Sequence, residues 1–279
     1  MRLLIKRGSP HFLGAEHALK IMGLIRSDAS AQAIENEANR MPTLAASLVK
    51  LASSAMFGAI EIKSVRFAIE LLGFDELYRI MMTLAMSSLS ANTSTRGIFD
   101  EEVFRRRSVT TAFICDHLAR QNNRPAPEKY YLAGLFQDIG YLFLAIHQPI
   151  SLMHVRSGVE RTPDCSLIEV EEHCMGFNHA ELSAVVAEEF QLPNDTVLAI
   201  RHHHSPLDCP DEACTFADIA CVASAVADSM NLFAVPGIQS DELDVLACAR
   251  LGIDPAVMPS IGETSYEKGS EVSSLMMAA

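Results

Sequence analysis

The sequence predicts an all-α protein, and three observations carry that prediction. Apolar residues recur along most of the chain at the i, i+3, i+4, i+7 spacing of helices with one buried face. Sustained alternation of period two is confined to the short opening RLLIK, the single strand candidate. Capping and stop residues punctuate the periodic segments at ordinary helix lengths. With 279 residues, 49% of them hydrophobic, the chain can bury the core of one large domain or of two lobes. There is no internal repeat.

In chain order, His11 to Ile25 and Ser30 to Asn39 form the first two helices, and Pro42 suits the first turn of MPTLAASLVKLASS. Ser64 can cap SVRFAIELL, which Gly73 closes, and Asp75 can cap DELYRIMMTLAMSSL, whose Leu77, Met81 and Leu84 share one face. The methionine-rich MMTLAM reads as core filler. The run SANTSTRG, Ser90 to Gly97, is the best linker. It gives an N-terminal extension at 1–10, a first helical lobe at 11–97 and a second lobe at 98–255 with at least five helices. A mobile tail containing Gly, Ser and Glu is expected at 256–279.

The second lobe concentrates the polar residues that break the apolar pattern. In YYLAGLFQDIGYLFLAI, residues Leu132, Leu135, Phe136, Ile139, Phe143 and Ile146 mark a helix buried on one face, with Gln137 and Asp138 in its middle. An unpaired charge there costs several kcal/mol, so Asp138 needs a metal ion, a cationic side chain, a cluster of donors or water. Asn178 can cap HAELSAVVAEEF in a capping-box arrangement with Glu181, which puts His179 in the first turn. Pro193 stops that helix. The next runs from Asn194 through His202, His203 and His204, which fan out by about 100° each so that two can point inward. Imidazoles on two helices and a mid-helix carboxylate make a divalent metal site conceivable. Each residue also has a plainer reading: Asp138 as a paired structural carboxylate, His179 as a satisfied first-turn histidine, and the triplet as helix-end side chains favoured by the C-terminal dipole.

Charge and cysteine usage narrow the function classes. The balance of 22 Lys plus Arg against 35 Asp plus Glu, a formal −13, argues against an extended nucleic-acid surface. Arg105, Arg106 and Arg107 read as one helix turn with two solvated faces. No apolar run reaches the roughly 18 residues of a membrane span, and MRLLIKRGSPHF lacks a signal-type core and cleavage site, so a cytoplasmic protein without membrane contact is expected. Seven cysteines without a C-x-x-C pair signal neither a disulfide framework nor a zinc ribbon. Cys209 and Cys214 follow the histidine triplet, but at no usual zinc spacing, and read as packing residues.

These motifs resemble a known family. LAGLFQDIG is similar to the His-Asp box of the HD phosphohydrolase superfamily, usually L-A-G-L-L-H-D-I-G, and FNHAELSAVVAEEFQLPNDTVLAIRHHHSP resembles the segment that follows it in the HDOD branch. PTLAASLVKLASSAMFGAIEIKSVRFAIELLGFDEL resembles the HDOD signature in which an N-S-x-F-F-G turn precedes a helix ending in L-L-G, with Ser53, Ser54, Met56, Phe57 and Gly58 at the turn. The resemblance spans roughly residues 11 to 235. It implies an N-terminal helical lobe packed on a degenerate HD-type bundle. Members are regarded as bacterial signalling or output modules, and most lack demonstrated hydrolase activity.

The same resemblance implies which ligand positions have changed. Arg107 stands where the first metal-binding histidine is expected, Gln137 replaces the histidine of the His-Asp box, and Ser224 aligns with the closing acid, with Asp218 and Asp228 a helical turn or more away. Asp138, His179, His203 and His204 survive, positions that match the second metal of a dinuclear site in the related HD-GYP type, so one divalent ion has a half-site while none is required. Two-metal phosphoester hydrolysis needs ions about 3.5–4 Å apart, for which no second ligand set remains. The parent fold brings Arg107 and Asp138 together, where two parallel N–H donors of the guanidinium can replace the lost cation and Gln137 can bond alongside. The expected function is therefore a non-catalytic regulatory module binding signalling proteins in trans or a small ligand. The rivals are a metal-dependent phosphohydrolase acting on nucleotides or cyclic dinucleotides and a purely structural scaffold.

Overall fold

The computed structural model describes residues 13–54, 60–87, 89, 97–210, 213–238 and 244–277. All regular structure among them is helical, as the periodicity predicts. RLLIK, the Met56–Gly58 turn and most of the Ser90–Gly97 linker lie outside the described residues. Contacts group the described residues into two compact units, the first of residues 13–89 with 270–277 and the second of residues 97–269.

The first unit contains α1 (Leu13–Arg26), α2 (Ala31–Asn39), α3 (Pro42–Ala52) and α4 (Val65–Ser87). Ser64 Oγ accepts from Phe67 N at 3.1 Å, so the expected cap forms, and Ser30 Oγ likewise caps α2 by accepting from Ala33 N at 3.3 Å. Gly73, at φ 77° and ψ 176°, breaks α4 into two segments because that backbone suits only a residue without Cβ. Leu77, Met81, Met82, Leu84 and Met86 are buried in its second segment.

In the HD-like unit, α5 (Glu101–Gln121) is followed by α6 (Pro127–Phe136), α7 (Ile139–His147), α8 (Pro149–Arg161) and α9 (Leu167–Met175). Then come α10 (His179–Glu189), α11 (Asn194–Arg201), α12 (Cys214–Ser229), α13 (Val245–Leu251) and α14 (Met258–Met277), whose residues from 270 onward group with the other unit. Ile114, Leu118, Tyr130, Val222, Val226 and Leu251 share one apolar core. Close approach of α5 and α6 depends on Gly134, where a Cβ would lie 2.5 Å from Thr111 O.

Three expectations need correction. Tyr130 to Ile146 is not one helix. Asp138, at φ −108° and ψ 9°, leaves the helical region and heads α7, while burial of both α6 and α7 keeps the apolar pattern continuous across the break. The histidine triplet is not on a helix either: His202 caps α11 and His203 and His204 lie in the turn beyond, closed by Ser205 N to His202 O at 3.0 Å. The expected mobile tail at 256–279 contains α14. Its Met258, Ile261, Ser265 and Val272 are buried, and Gly262 and Gly269 permit close packing rather than flexibility, since a Cβ at Gly269 would lie 2.5 Å from Thr110 Oγ1.

These contacts separate two glycine substitutions. Gly134→Ala is expected to lower stability by about 1–3 kcal/mol through overpacking. Gly23→Ala, in an exposed stretch of α1 with nothing within 4 Å of the new Cβ, is expected to be neutral or to stabilise by up to about 1 kcal/mol. Urea unfolding of the two variants checks this, and equal losses would contradict it.

Candidate functional site

The centre of the HD-like unit is assembled around Arg107, which α5 carries into the interior. Its Nε donates to Asp138 Oδ2 at 2.6 Å, at the head of α7. Nη1 donates to Asp228 Oδ1 and to Leu232 O, the latter at 3.3 Å, and Nη2 donates to Ser224 Oγ at 2.9 Å. The Arg107–Asp138 pairing is as expected, but the two parallel bonds to one carboxylate are not. The fork is divided because Ser224 and Asp228, at i and i+4 on α12, present their side chains on one helix face. Asp228 therefore stands one turn beyond the position aligned with the closing acid, yet engages the same guanidinium. Asp218 is taken by Arg250 at 3.0 and 3.1 Å.

Burial opposes ionisation of these groups, and the pairing decides the outcome. For Asp138 burial pushes the carboxyl up, but the attraction of Arg107 and its hydrogen bond outweigh it and hold the carboxyl well below the usual range. Burial also works against the charge on Arg107, but Asp138 and Asp228 raise its pKa further. At Asp228 burial prevails over Arg107 and pushes the carboxyl up.

The histidines face the opposite side of Asp138. His179 Nε2 lies 3.5 Å from Asp138 Oδ1, His203 Nε2 lies 3.7 Å from the same oxygen, and His204 Nε2 is 3.0 Å from His179 Nε2. One ligand atom from each imidazole fits within 4.8 Å of the others. His203 Nδ1 contacts Ile200 O at 2.7 Å; a carbonyl only accepts, so the proton is on Nδ1 and Nε2 carries a lone pair. That buried Nε2 has no hydrogen-bond partner among the described residues. Burial first, then His204, holds His203 well below its ordinary pKa. At His179 the nearby Glu171 outweighs burial and raises it.

Glu171 and Tyr141 were not singled out from the sequence. Glu171, on α9 and fully buried, accepts from Tyr141 OH at 2.5 Å, from His179 N at 2.8 Å and from His179 Nδ1 at 2.7 Å. The expected cap also forms at the start of α10: Asn178 Oδ1 accepts from Glu181 N at 2.9 Å. Gly140 lets α7 approach that helix, since a Cβ there would lie 2.5 Å from His179 O. A cavity of about 40 Å³ opens beside Arg107, Asp138, Tyr141, His179, His204 and Asp228.

One further expectation fails, at Gln137, and one holds, at Cys209. Gln137 is buried, but neither amide atom finds a partner among the described residues, so it does not bond alongside Arg107 and Asp138. Cys209 packs with Ala213, Ala217 and Leu198, and no cysteine joins the histidine cluster among the described residues.

The sequence profile of the HDOD domain matches residues 15–206. The chain belongs to the HDOD family. Solved structures share its fold. An HDOD domain protein of unknown function from Geobacter sulfurreducens superposes with a TM-score of 0.70 at 20% identity, over 94% of this chain and 90% of its own. A candidate phosphohydrolase from Shewanella amazonensis SB2B gives a TM-score of 0.74 at 18% identity, over 94% and 93% of the two chains. A candidate signal transduction protein from Marinobacter aquaeolei VT8 gives 0.71 at 22% identity, over 94% of this chain and 59% of its own. The uncharacterised protein YuxH of Bacillus subtilis (strain 168) is 35% identical over 82 residues, which are 29% of this HDOD chain and 19% of YuxH. The alignment thus spans under a fifth of that curated relative. Among the described residues no single helix is long and apolar enough to cross a membrane.

The divided arginine fork sets an energetic test. Arg107→Ala strands two buried carboxylates and is expected to cost about 3–5 kcal/mol. Adding Asp138→Leu should recover only part of that loss, and adding Asp228→Leu as well should recover most of the rest. Denaturant unfolding across this cycle measures the couplings; additive effects would contradict a shared network.

Proposed function

We propose that this HDOD protein is a non-catalytic regulatory module acting in the cytoplasm, which works by binding a signalling protein or a small ligand. The observation that carries this reading is the Arg107 guanidinium spanning Asp138, Asp228 and Ser224. Two-metal hydrolysis places cations about 3.5–4 Å apart to hold and ionise the attacking water. Here a fixed positive charge engages the two acids that face that space, and it repels a cation brought to the same place.

The residues on the other side of Asp138 fit one ion. His203 Nε2 and Asp138 Oδ1 are two acceptors facing each other with no proton between them, an arrangement that a cation relieves. His179, His203 and His204 would hold it through nitrogen, with Asp138 supplying oxygen, a donor set suited to zinc or a similar borderline divalent ion. When bound, such an ion supplies a positive charge and a Lewis-acidic centre. The chain's own contribution is to join the turn after α11 to the first turn of α10, which makes the site structural or sensing.

The enzyme reading, a metal-dependent phosphohydrolase acting on nucleotides or cyclic dinucleotides, draws on the retained Asp138 and imidazoles. Against it stands the Arg107 guanidinium, a fixed charge bonded to Asp138 and Asp228 where a second cation would have to sit.

Metal analysis of purified protein, with a phosphodiester and nucleotide hydrolysis panel supplemented with manganese, tests the reading. The expected result is no turnover, with or without bound metal. Turnover that disappears in Asp138→Ala would overturn it.

A further inference from the structure

We infer that Glu171 and Tyr141 are positioning residues that preset His179 as a metal ligand, an inference that rests on the single-ion reading of the histidine cluster. One carboxylate holds this residue twice: Glu171 Oε2 accepts from both the backbone N and the ring Nδ1 of His179, at 2.8 and 2.7 Å. The other oxygen accepts from Tyr141 OH at 2.5 Å, and the Tyr141 ring stacks on the imidazole with centroids 4.4 Å apart and an interplanar angle of 18°. The imidazole is thus gripped at its edge by the acid and on its face by the phenol bonded to that acid. Neither rotation about χ1 nor a ring flip is open without breaking a buried charge-assisted bond.

The bond to Nδ1 decides what the ring offers. With that proton directed at Glu171, the other nitrogen, Nε2, is the one turned towards His204 Nε2 and Asp138 Oδ1. His203 follows the same rule with a different acceptor, Ile200 O. Two of the three imidazoles therefore have their outer nitrogen fixed by a partner, which orients a ligand and raises its basicity.

Helix capping alone does not account for Glu171. Asn178 and Glu181 already form a reciprocal capping box at the start of α10. What Glu171 adds is the bond to the ring. A fully buried carboxylate costs several kcal/mol unless every lone pair is used, and all three of its described bonds go to His179 or to the residue stacked on it.

Titration of the metal-free 279-residue chain with cobalt(II), followed by its visible ligand-field spectrum, and with zinc by competition, tests this. The wild type is expected to bind one ion. Glu171→Gln keeps size and shape but loses the charge, and its affinity should fall by about 10- to 100-fold. Tyr141→Phe keeps the stacked ring and loses only the hydroxyl, and should show a smaller loss in the same direction. Unfolding midpoints and far-UV circular dichroism identify variants that fail to fold; if Glu171→Gln is one, Tyr141→Phe and Glu171→Asp decide. A wild type that binds no ion overturns the single-ion reading. A wild type that binds, with folded variants that bind equally tightly and give the same cobalt spectrum, overturns the positioning role and leaves the ion reading standing.

Discussion

The HD-like unit depends on one interaction, a buried guanidinium held between two carboxylates. Arg107 is 8% exposed, Asp138 4% and Asp228 8%, and none of them is affordable alone at that depth. The arrangement constrains three helices at once: α5 must deliver the arginine, α7 must begin at Asp138, and α12 must turn Ser224 and Asp228 to the same side. A network of this kind does not add stability relative to a well-packed apolar core. It does penalise any packing that separates its members, so it specifies the arrangement of the helices more than it strengthens it.

The same pocket contains a second, complementary centre. On the guanidinium side, donors are matched to acceptors. On the histidine side, two imidazoles of one cluster are pushed in opposite directions: His179 up, where Glu171 outweighs burial, and His203 down, where burial and His204 prevail. Groups driven apart in this way are a common mark of a site arranged around charge. Asp138 belongs to both centres, giving Oδ2 to Arg107 and turning Oδ1 to the imidazoles. A change on either side is therefore felt on the other through a single carboxylate.

Much of this was legible in the sequence, and the omissions share a cause. The helical class, the caps at Ser64 and Asn178 and the Gly73 break follow from local chemistry, which a linear reading captures. The Arg107–Asp138 contact came through resemblance, because which helices meet is a tertiary fact. Glu171 escaped notice because LIEVEEHCM offers three glutamates on a short helix; the packing of α9 alone turns Glu171 and Val170 inward and leaves Glu172 exposed. Asp228 was set aside as a turn too far, although i, i+4 spacing from Ser224 was the available signal. The triplet was given helical phase, which would have splayed His203 and His204 apart; in a turn both reach the same point. In α14 the composition masked a visible spacing of Met258, Ile261 and Val272.

The central claim is that Arg107 takes the place of a cation in the HD-type centre. Anomalous diffraction from crystals soaked in manganese or zinc tests it most directly. The account predicts guanidinium density between Asp138 and Asp228, with any anomalous peak confined to the space among His179, His203 and His204. An ion bridging Asp138 and Asp228, with the Arg107 side chain displaced from both, would contradict it.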